Sequence, residues 1–254
     1  MFVVSEHVAD GPVGAALLRA PGGAREIVVC GSPDAVEQAA TEAAAGGASR
    51  VVAVGGDGTV RAVVQGLLAV RTPRPELAIV PAGTANDAAR GLGLDDPFAV
   101  LERLEAGTLT PHPLDVNVCN GQCSVNVLSI GTPARVTQAT PQESKALLGG
   151  LAYVLQGITQ LAETRPFRAR LHADGLQWEG SALALYIGNL PYAGGGFRVC
   201  PDADCTDGLL DLLIVPEMEP GELLALFGDT ALLGDPRHHE LVEHHRFTSL
   251  AVDL

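Results

Sequence analysis

Five consecutive residues combine backbone freedom with charge: Gly55-Gly56-Asp57-Gly58-Thr59 lie between the apolar run Val51–Val54 and a helix-like segment from Val60. Glycines after a strand and before a helix expose backbone N–H groups and a helix N-terminus, an arrangement that receives phosphate. Glycine is needed there because a Cβ would hold the backbone away from the phosphate oxygens. Two common phosphate-binding patterns are excluded. The dinucleotide pattern wants its third glycine where Arg61 stands, and a P-loop wants a lysine that this stretch lacks. Asp57 would repel a bare phosphate. It makes sense if a divalent cation bridges the two, or if the carboxylate takes a proton. The alternative is an ordinary strand-to-helix turn with Asp57 capping the helix.

A second loop, Val80-Pro-Ala-Gly83-Thr84-Ala-Asn86-Asp87-Ala-Ala-Arg90, places its Gly-Thr pair 25 positions after Gly58-Thr59. It also follows a strand-like run and opens a helix-like one. In a parallel sheet both loops fall at the carboxyl ends of their strands, where ligands bind in such folds. Two loops of small residues, each with Gly-Thr and an aspartate, then face one cleft.

The elements that must position these loops alternate. Strands are expected at Phe2–Ser5, Glu26–Cys30, Arg50–Val54 and Leu77–Val80, and helices at Val13–Arg19, Asp34–Ala45, Val60–Ala69, Asn86–Leu92 and Pro97–Glu105. Such alternation predicts a parallel α/β sheet. After Pro113 the pattern changes. Leu114–Val118 and Ser124–Leu128 flank the hairpin signal Asn120-Gly121. Strands are then expected at Arg168–Ala173, Gln177–Ile187, Arg198–Cys200, Leu209–Val215 and Phe247–Asp253, with helices at Leu147–Glu163 and Glu219–Leu233. We therefore expect an α/β nucleotide-binding domain over 1–113 and a β-rich antiparallel domain over 114–254.

Hydrophobic residues make up 47% of the 254 and charged residues 18%, enough for a sizeable core. The formal charge is −14, with Lys145 the single lysine. An acidic surface repels phosphate backbones, so no nucleic-acid partner is expected. Membrane contact would need apolar surface or a local arginine cluster, for which Arg165, Arg168 and Arg170 are candidates, although pairing with surface acids is the plainer reading. No apolar run approaches the roughly 18–20 residues that span a bilayer. Five cysteines in a chain of this length read as reduced thiols of a cytoplasmic protein. A zinc site from Cys119, Cys123, Cys200 and Cys205 is disfavoured, because the first pair brackets the hairpin turn. His238, His239, His244 and His245 are expected to be solvated helix or loop residues, and Trp178 a core residue of a strand.

Gly55-Gly-Asp-Gly-Thr-Val60 together with Pro81-Ala-Gly-Thr-Ala-Asn-Asp-Ala-Ala-Arg90 resembles the bacterial diacylglycerol kinase and sphingosine kinase-like family of lipid kinases. The first motif is more distantly similar to NAD kinases and 6-phosphofructokinases. The likeness continues through Asp115, Asn126–Gly131, Leu148–Tyr153, Asn189–Gly196 and Pro201–Leu209. It implies a Rossmann-like α/β domain followed by an antiparallel β-sandwich. It also implies an ATP- and Mg-dependent transfer of the γ-phosphoryl group to a lipid alcohol resembling diacylglycerol or sphingosine. By the same resemblance Gly55, Gly56, Asp57, Gly58, Thr59, Gly83, Thr84, Asn86 and Asp87 would hold the nucleotide. Asp57 would be catalytic and near magnesium, and Asp207 would hold a structural cation. The resemblance further implies transient peripheral membrane contact and is compatible with a homodimer.

Three features depart from the family. Val3–Gly11 stands where an Asn-Pro-x-Ser-Gly turn is usual and brings Glu6 and Asp10. Arg61-Ala62 replaces Asn-Glu. The chain ends at Ala251-Val-Asp-Leu254 where an Asp-Gly-Glu turn still lies ahead, so Asp253 is not assigned that turn's role. Two explanations stay open: a C-terminally shortened sequence, or a catalytically impaired nucleotide- or lipid-binding descendant.

Overall fold

The computed structural model describes residues 1–19, 26–71, 73–131, 165–233 and 235–254. The expected helix over Leu147–Glu163, with its Leu148–Tyr153 motif, lies outside the described residues. The chain divides into two compact units, Met1–Val125 and Asn126–Leu254.

In the first unit the order is β1 (Phe2–Ser5), α1 (Glu6–Ala9), α2 (Pro12–Arg19), β2 (Ile27–Cys30), α3 (Pro33–Ala45), β3 (Arg50–Gly55), α4 (Asp57–Leu68), β4 (Glu76–Pro81), α5 (Asp87–Gly91) and α6 (Pro97–Ala106). The strands pair in the order β2-β1-β3-β4, all parallel. Val4, Val52, Val54, Ala78 and Val80 face a core shared with Val8, Val13, Leu17, Val100 and Leu101. The alternate residues Val3, Val51, Ala53 and Ile79 are buried as well, so both faces of the sheet are covered. Helix ends follow local chemistry. Ser32 Oγ accepts from the Ala35 amide at the start of α3, Asp96 accepts from Phe98 and Ala99 at the start of α6, and Gly107 closes α6 at φ 65°. The short helix α1 goes unpredicted by the sequence pattern, which offers no periodicity over four residues.

A tight hairpin follows, β5 (Asn117–Cys119) and β6 (Gln122–Ser124). Asn120 and Gly121 both have positive φ, 51° and 80°, as a two-residue primed turn requires. Its arms are shorter than the sequence suggests, and helix α4 holds the turn. The Cys123 amide donates to Gln65 Oε1 at 2.8 Å, Gln65 Nε2 donates to the Gly121 carbonyl at 3.2 Å, and Arg61 Nη1 donates to Gln122 Oε1 at 3.0 Å. These bonds attach the hairpin to the first unit, so the compact units meet at 125/126, whereas the change of sequence texture falls after Pro113.

The second unit contains β7 (Val127–Gly131), β8 (Phe167–Ala173), β9 (Leu176–Gly188), β10 (Tyr192–Ala193), β11 (Phe197–Arg198), β12 (Leu210–Pro216), α7 (Pro220–Leu233), a 3-10 turn (Pro236–His238), β13 (Glu243–Phe247) and β14 (Leu250–Asp253). Its main sheet runs β13-β12-β9-β8-β14, with β7 also on β9, and every pairing is antiparallel. Alternation assigns the two faces. Leu185, Ile187, Leu212, Ile214 and Phe247 pack into one cluster, while Leu183, Ala184, Leu213 and Val215 pack with Leu223 and Leu226 of α7. The fold is thus a parallel α/β domain followed by an antiparallel β-sandwich domain. A further expectation changes here: the stretch around His244 and His245 is strand β13, separated from β14 by a short break.

Candidate active site

All four parallel strands end on the same edge of their sheet, so the loops after Gly55 and Pro81 are neighbours. The pairing Gly55↔Pro81 is extended by a bond from the Ala82 amide to the Gly55 carbonyl at 2.9 Å. The two glycine loops then touch through backbone. A Cβ on Gly83 would lie 2.3 Å from Gly56 Cα, and a Cβ on Gly55 would lie 2.3 Å from Thr59 Oγ1. Side chains larger than hydrogen cannot stand at these two positions without moving the loops.

Helix α4 begins at Asp57 with Gly56 as N-cap and no side-chain cap. Its first-turn N–H groups therefore receive no capping side chain and can serve an anion. Nothing would lie within 4 Å of a Cβ on Gly58, which is exposed to open space. Asp57 Oδ1 accepts the Ala88 amide at 2.8 Å, tying the start of α4 to the start of α5. Among the described residues its Oδ2 has no hydrogen-bond partner. Asn86 adopts the left-handed conformation at φ 53° and ψ 38°. Its Oδ1 accepts the Gly83 amide at 2.8 Å while its Nδ2 donates to the Gly83 carbonyl at 3.0 Å, which closes the second loop into a ring. Thr84 is exposed on that loop. Asp87 points inward, 4% exposed, with Oδ1 3.7 Å from Arg90 Nη1; Arg90 Nε is likewise 3.7 Å from Asp95. The expected residues Gly55 to Thr59, Gly83, Thr84, Asn86 and Asp87 thus share one sheet edge. Glu6, at the end of β1, brings its carboxylate to the same edge, 3.0 Å from where a Cβ on Gly31 would stand.

Asp207 belongs to the second unit. Its Oδ1 accepts the Leu209 amide at 2.9 Å and its Oδ2 accepts from Arg246 Nη2. Behind it, Asp211 is 1% exposed and accepts from Arg246 Nε at 3.4 Å, with His244 Nε2 at 2.7 Å from its other oxygen. A second cluster joins Arg237 to Asp202 at 2.5 Å and Asp235 at 2.6 Å, and hydrogen bonds from Arg237 hold both carboxyls below their usual range. Sequence reasoning missed these networks. The nearest signal was the run His244-His245-Arg246, whose acidic partners lie 33 and 35 positions earlier. Trp178, expected in the core, packs partly against it and donates to Glu243 Oε1 at 2.9 Å. Arg170 meets Glu179 at 3.2 Å, the plainer of its two readings. All five cysteines are free thiols, and burial pushes Cys200 up to about 12. No group of three or more potential metal ligands occurs among the described residues.

An uncapped helix terminus at the edge of a parallel sheet, followed by an antiparallel β-sandwich, defines a two-domain α/β plus β-sandwich protein. The diacylglycerol kinase catalytic domain family matches residues 14–116, and the YegS C-terminal NAD kinase beta sandwich-like domain family matches residues 126–253. A protein of Pseudomonas aeruginosa named "Probable lipid kinase YegS-like" is 42% identical over 194 residues, covering 76% of this chain and 62% of the relative. A protein of the same name from Pseudomonas putida is 36% identical over 217 residues, covering 85% of this chain and 71% of the relative. The crystal structure of a diacylglycerol kinase from Bacillus anthracis is 26% identical, with a TM-score of 0.74, covering 99% of this chain and 84% of that one. The chain belongs to the YegS-like, diacylglycerol kinase-type family of lipid kinases. It spans 62% of the length of the Pseudomonas aeruginosa relative.

Proposed function

We infer that this chain is an ATP- and magnesium-dependent lipid kinase, transferring the γ-phosphoryl group to the hydroxyl of a diacylglycerol- or sphingosine-like lipid. One observation carries the reading: Asp57 sits at the uncapped start of α4 with one oxygen fixed by the Ala88 amide and the other without a partner among the described residues. The amides of Asp57, Gly58 and Thr59 bind phosphate oxygens, and the loop Gly83–Asn86, closed by its own asparagine, shapes the opposite wall. The chemistry of the site fits magnesium, since Asp57 Oδ2 offers a hard oxygen donor beside the phosphate-receiving amides. When bound, magnesium supplies charge neutralisation of the transferring phosphoryl group. Asp57 also stands ready to accept the hydroxyl proton. Positioning of the two reactants by the loops accounts for most of the acceleration.

The partner is a lipid alcohol met at a membrane surface by transient contact of a cytoplasmic protein. No helix among the described residues is long and apolar enough to cross a membrane. The test is transfer of labelled phosphate from ATP to diacylglycerol in mixed micelles, with NAD as the competing acceptor. Labelled lipid is the expected product; labelled NAD alone would overturn the lipid assignment. A second reading, a catalytically impaired nucleotide- or lipid-binding descendant, is favoured by the Glu6 carboxylate at the same sheet edge, which would weaken the hold on a triphosphate. An ATP-dependent rise in Tm with no product from either acceptor would support it.

A further inference from the structure

The turn that carries Asp207 already holds a positive charge. We propose that Arg246 is a built-in counter-ion for Asp207 and Asp211, so that the second unit keeps its acidic turn without a divalent metal. This departs from the structural cation that the family resemblance implies at Asp207, and it is independent of whether the first unit transfers phosphate.

Both carboxylate oxygens of Asp207 and one of Asp204 are engaged by N–H and O–H donors. Asp207 Oδ1 accepts the Leu209 amide at 2.9 Å and Oδ2 accepts from Arg246 Nη2. Asp204 Oδ1 accepts both the Thr206 amide at 2.9 Å and its hydroxyl at 2.7 Å. One guanidinium spans two carboxylates, since Arg246 Nε also donates to Asp211 Oδ2 at 3.4 Å. Its placement is set by the sheet: Asp211 of β12 and Arg246 of β13 are direct register partners. Magnesium requires a nearly octahedral shell of oxygens at about 2.0–2.1 Å, so it would have to displace the guanidinium and then remain beside its charge. Displacement would also strip Asp211, 1% exposed, of one of its two charged or polar side-chain partners. Among the described residues, those around Asp207 therefore fit an arginine and do not fit a metal.

The full chain is tested by thermal denaturation in EDTA and in excess magnesium, and by manganese titration followed by electron paramagnetic resonance. Wild type and Asp207→Asn are expected to bind the same number of manganese ions, and any magnesium effect on Tm is expected to be equal in both. Arg246→Met should melt several degrees lower in EDTA and recover in magnesium, and adding Asp207→Asn should abolish that recovery. Arg246→Lys, which keeps the charge, should stay insensitive. The proposal is overturned if Asp207→Asn binds one manganese fewer than wild type, or if magnesium raises the wild-type Tm by an amount that Asp207→Asn loses. Failure of Arg246→Met to respond to magnesium would overturn it too. Should that variant not fold, the comparison of wild type with Asp207→Asn decides alone.

Discussion

On the proposed mechanism Asp57 does two things with one carboxylate, and a single substitution separates them. Asparagine at this position keeps an Oδ1 that can accept the Ala88 amide, so the link between α4 and α5 survives. It removes the charge that the proposed magnesium contact and proton transfer require. Asp57→Asn is expected to lower phosphate transfer by at least about a hundredfold while leaving Tm nearly unchanged. Labelled transfer to diacylglycerol and a melting curve on the same sample check both halves, and full activity would remove Asp57 from the mechanism. Asn86 makes a different argument, because its backbone and side chain are both constrained. Asn86→Gly keeps the left-handed backbone and loses the two bonds to Gly83, whereas Asn86→Ala loses those bonds and adds a strained φ. The alanine variant is expected to be the less stable of the pair by about 1 kcal/mol in urea denaturation. Equal stabilities would mean that the loop relaxes out of the left-handed conformation.

Helices α3 and α4 approach so closely at Gly66 that a Cβ there would lie 2.3 Å from the Glu37 carbonyl oxygen. Thr41 Oγ1 marks the same crossing, donating to the Glu37 carbonyl at 2.9 Å and approaching the Gly66 carbonyl at 3.2 Å. Gly66→Ala must push the helices apart. A loss of about 1–3 kcal/mol is expected, read as a lower denaturation midpoint with an unchanged slope. Most elements of the first unit were legible in the sequence because strands of β-branched residues alternate with helices whose caps, Ser32-Pro33 and Asp96-Pro97, are local signals. Strand β13 was not. Its polar residues His244 and Arg246 look solvated until β12 supplies Asp211 from across the sheet. The hairpin turn is legible in Asn120-Gly121, yet what it rests on is not, since Gln65 and Arg61 hold it from more than 50 positions earlier. The candidate site shows the same division. Its glycines declare themselves by pattern, but the bond from the Ala88 amide to Asp57 exists only because two parallel strands bring their loops together.

At the scale of the whole molecule the chain carries a net charge of −14, so its carboxylates repel one another unless cations are placed among them. Arg237 is such a cation. Its hydrogen bonds depress the carboxyls of Asp202 and Asp235 below their ordinary value of 3.8. Asp235 is two residues away and can find Arg237 in the unfolded chain, but Asp202 is 35 residues away and pairs only on folding. A carboxylate whose pKa is lowered by folding adds stability that is fully present above its unfolded value and is lost as pH falls through its folded one. The Asp202 side chain is 60% exposed, so solvent keeps the effect modest. Acid also relieves the general repulsion, which makes the absolute stability a poor readout. The difference between wild type and Arg237→Gln isolates the pair. That difference in Tm is expected to be full at neutral pH, to shrink below about pH 4, and to close as both carboxyls protonate. Melting curves taken from neutral pH down to about pH 2 check this. A difference that persists unchanged at the acid end would mean that Arg237 stabilises by packing of its stem and not by charge.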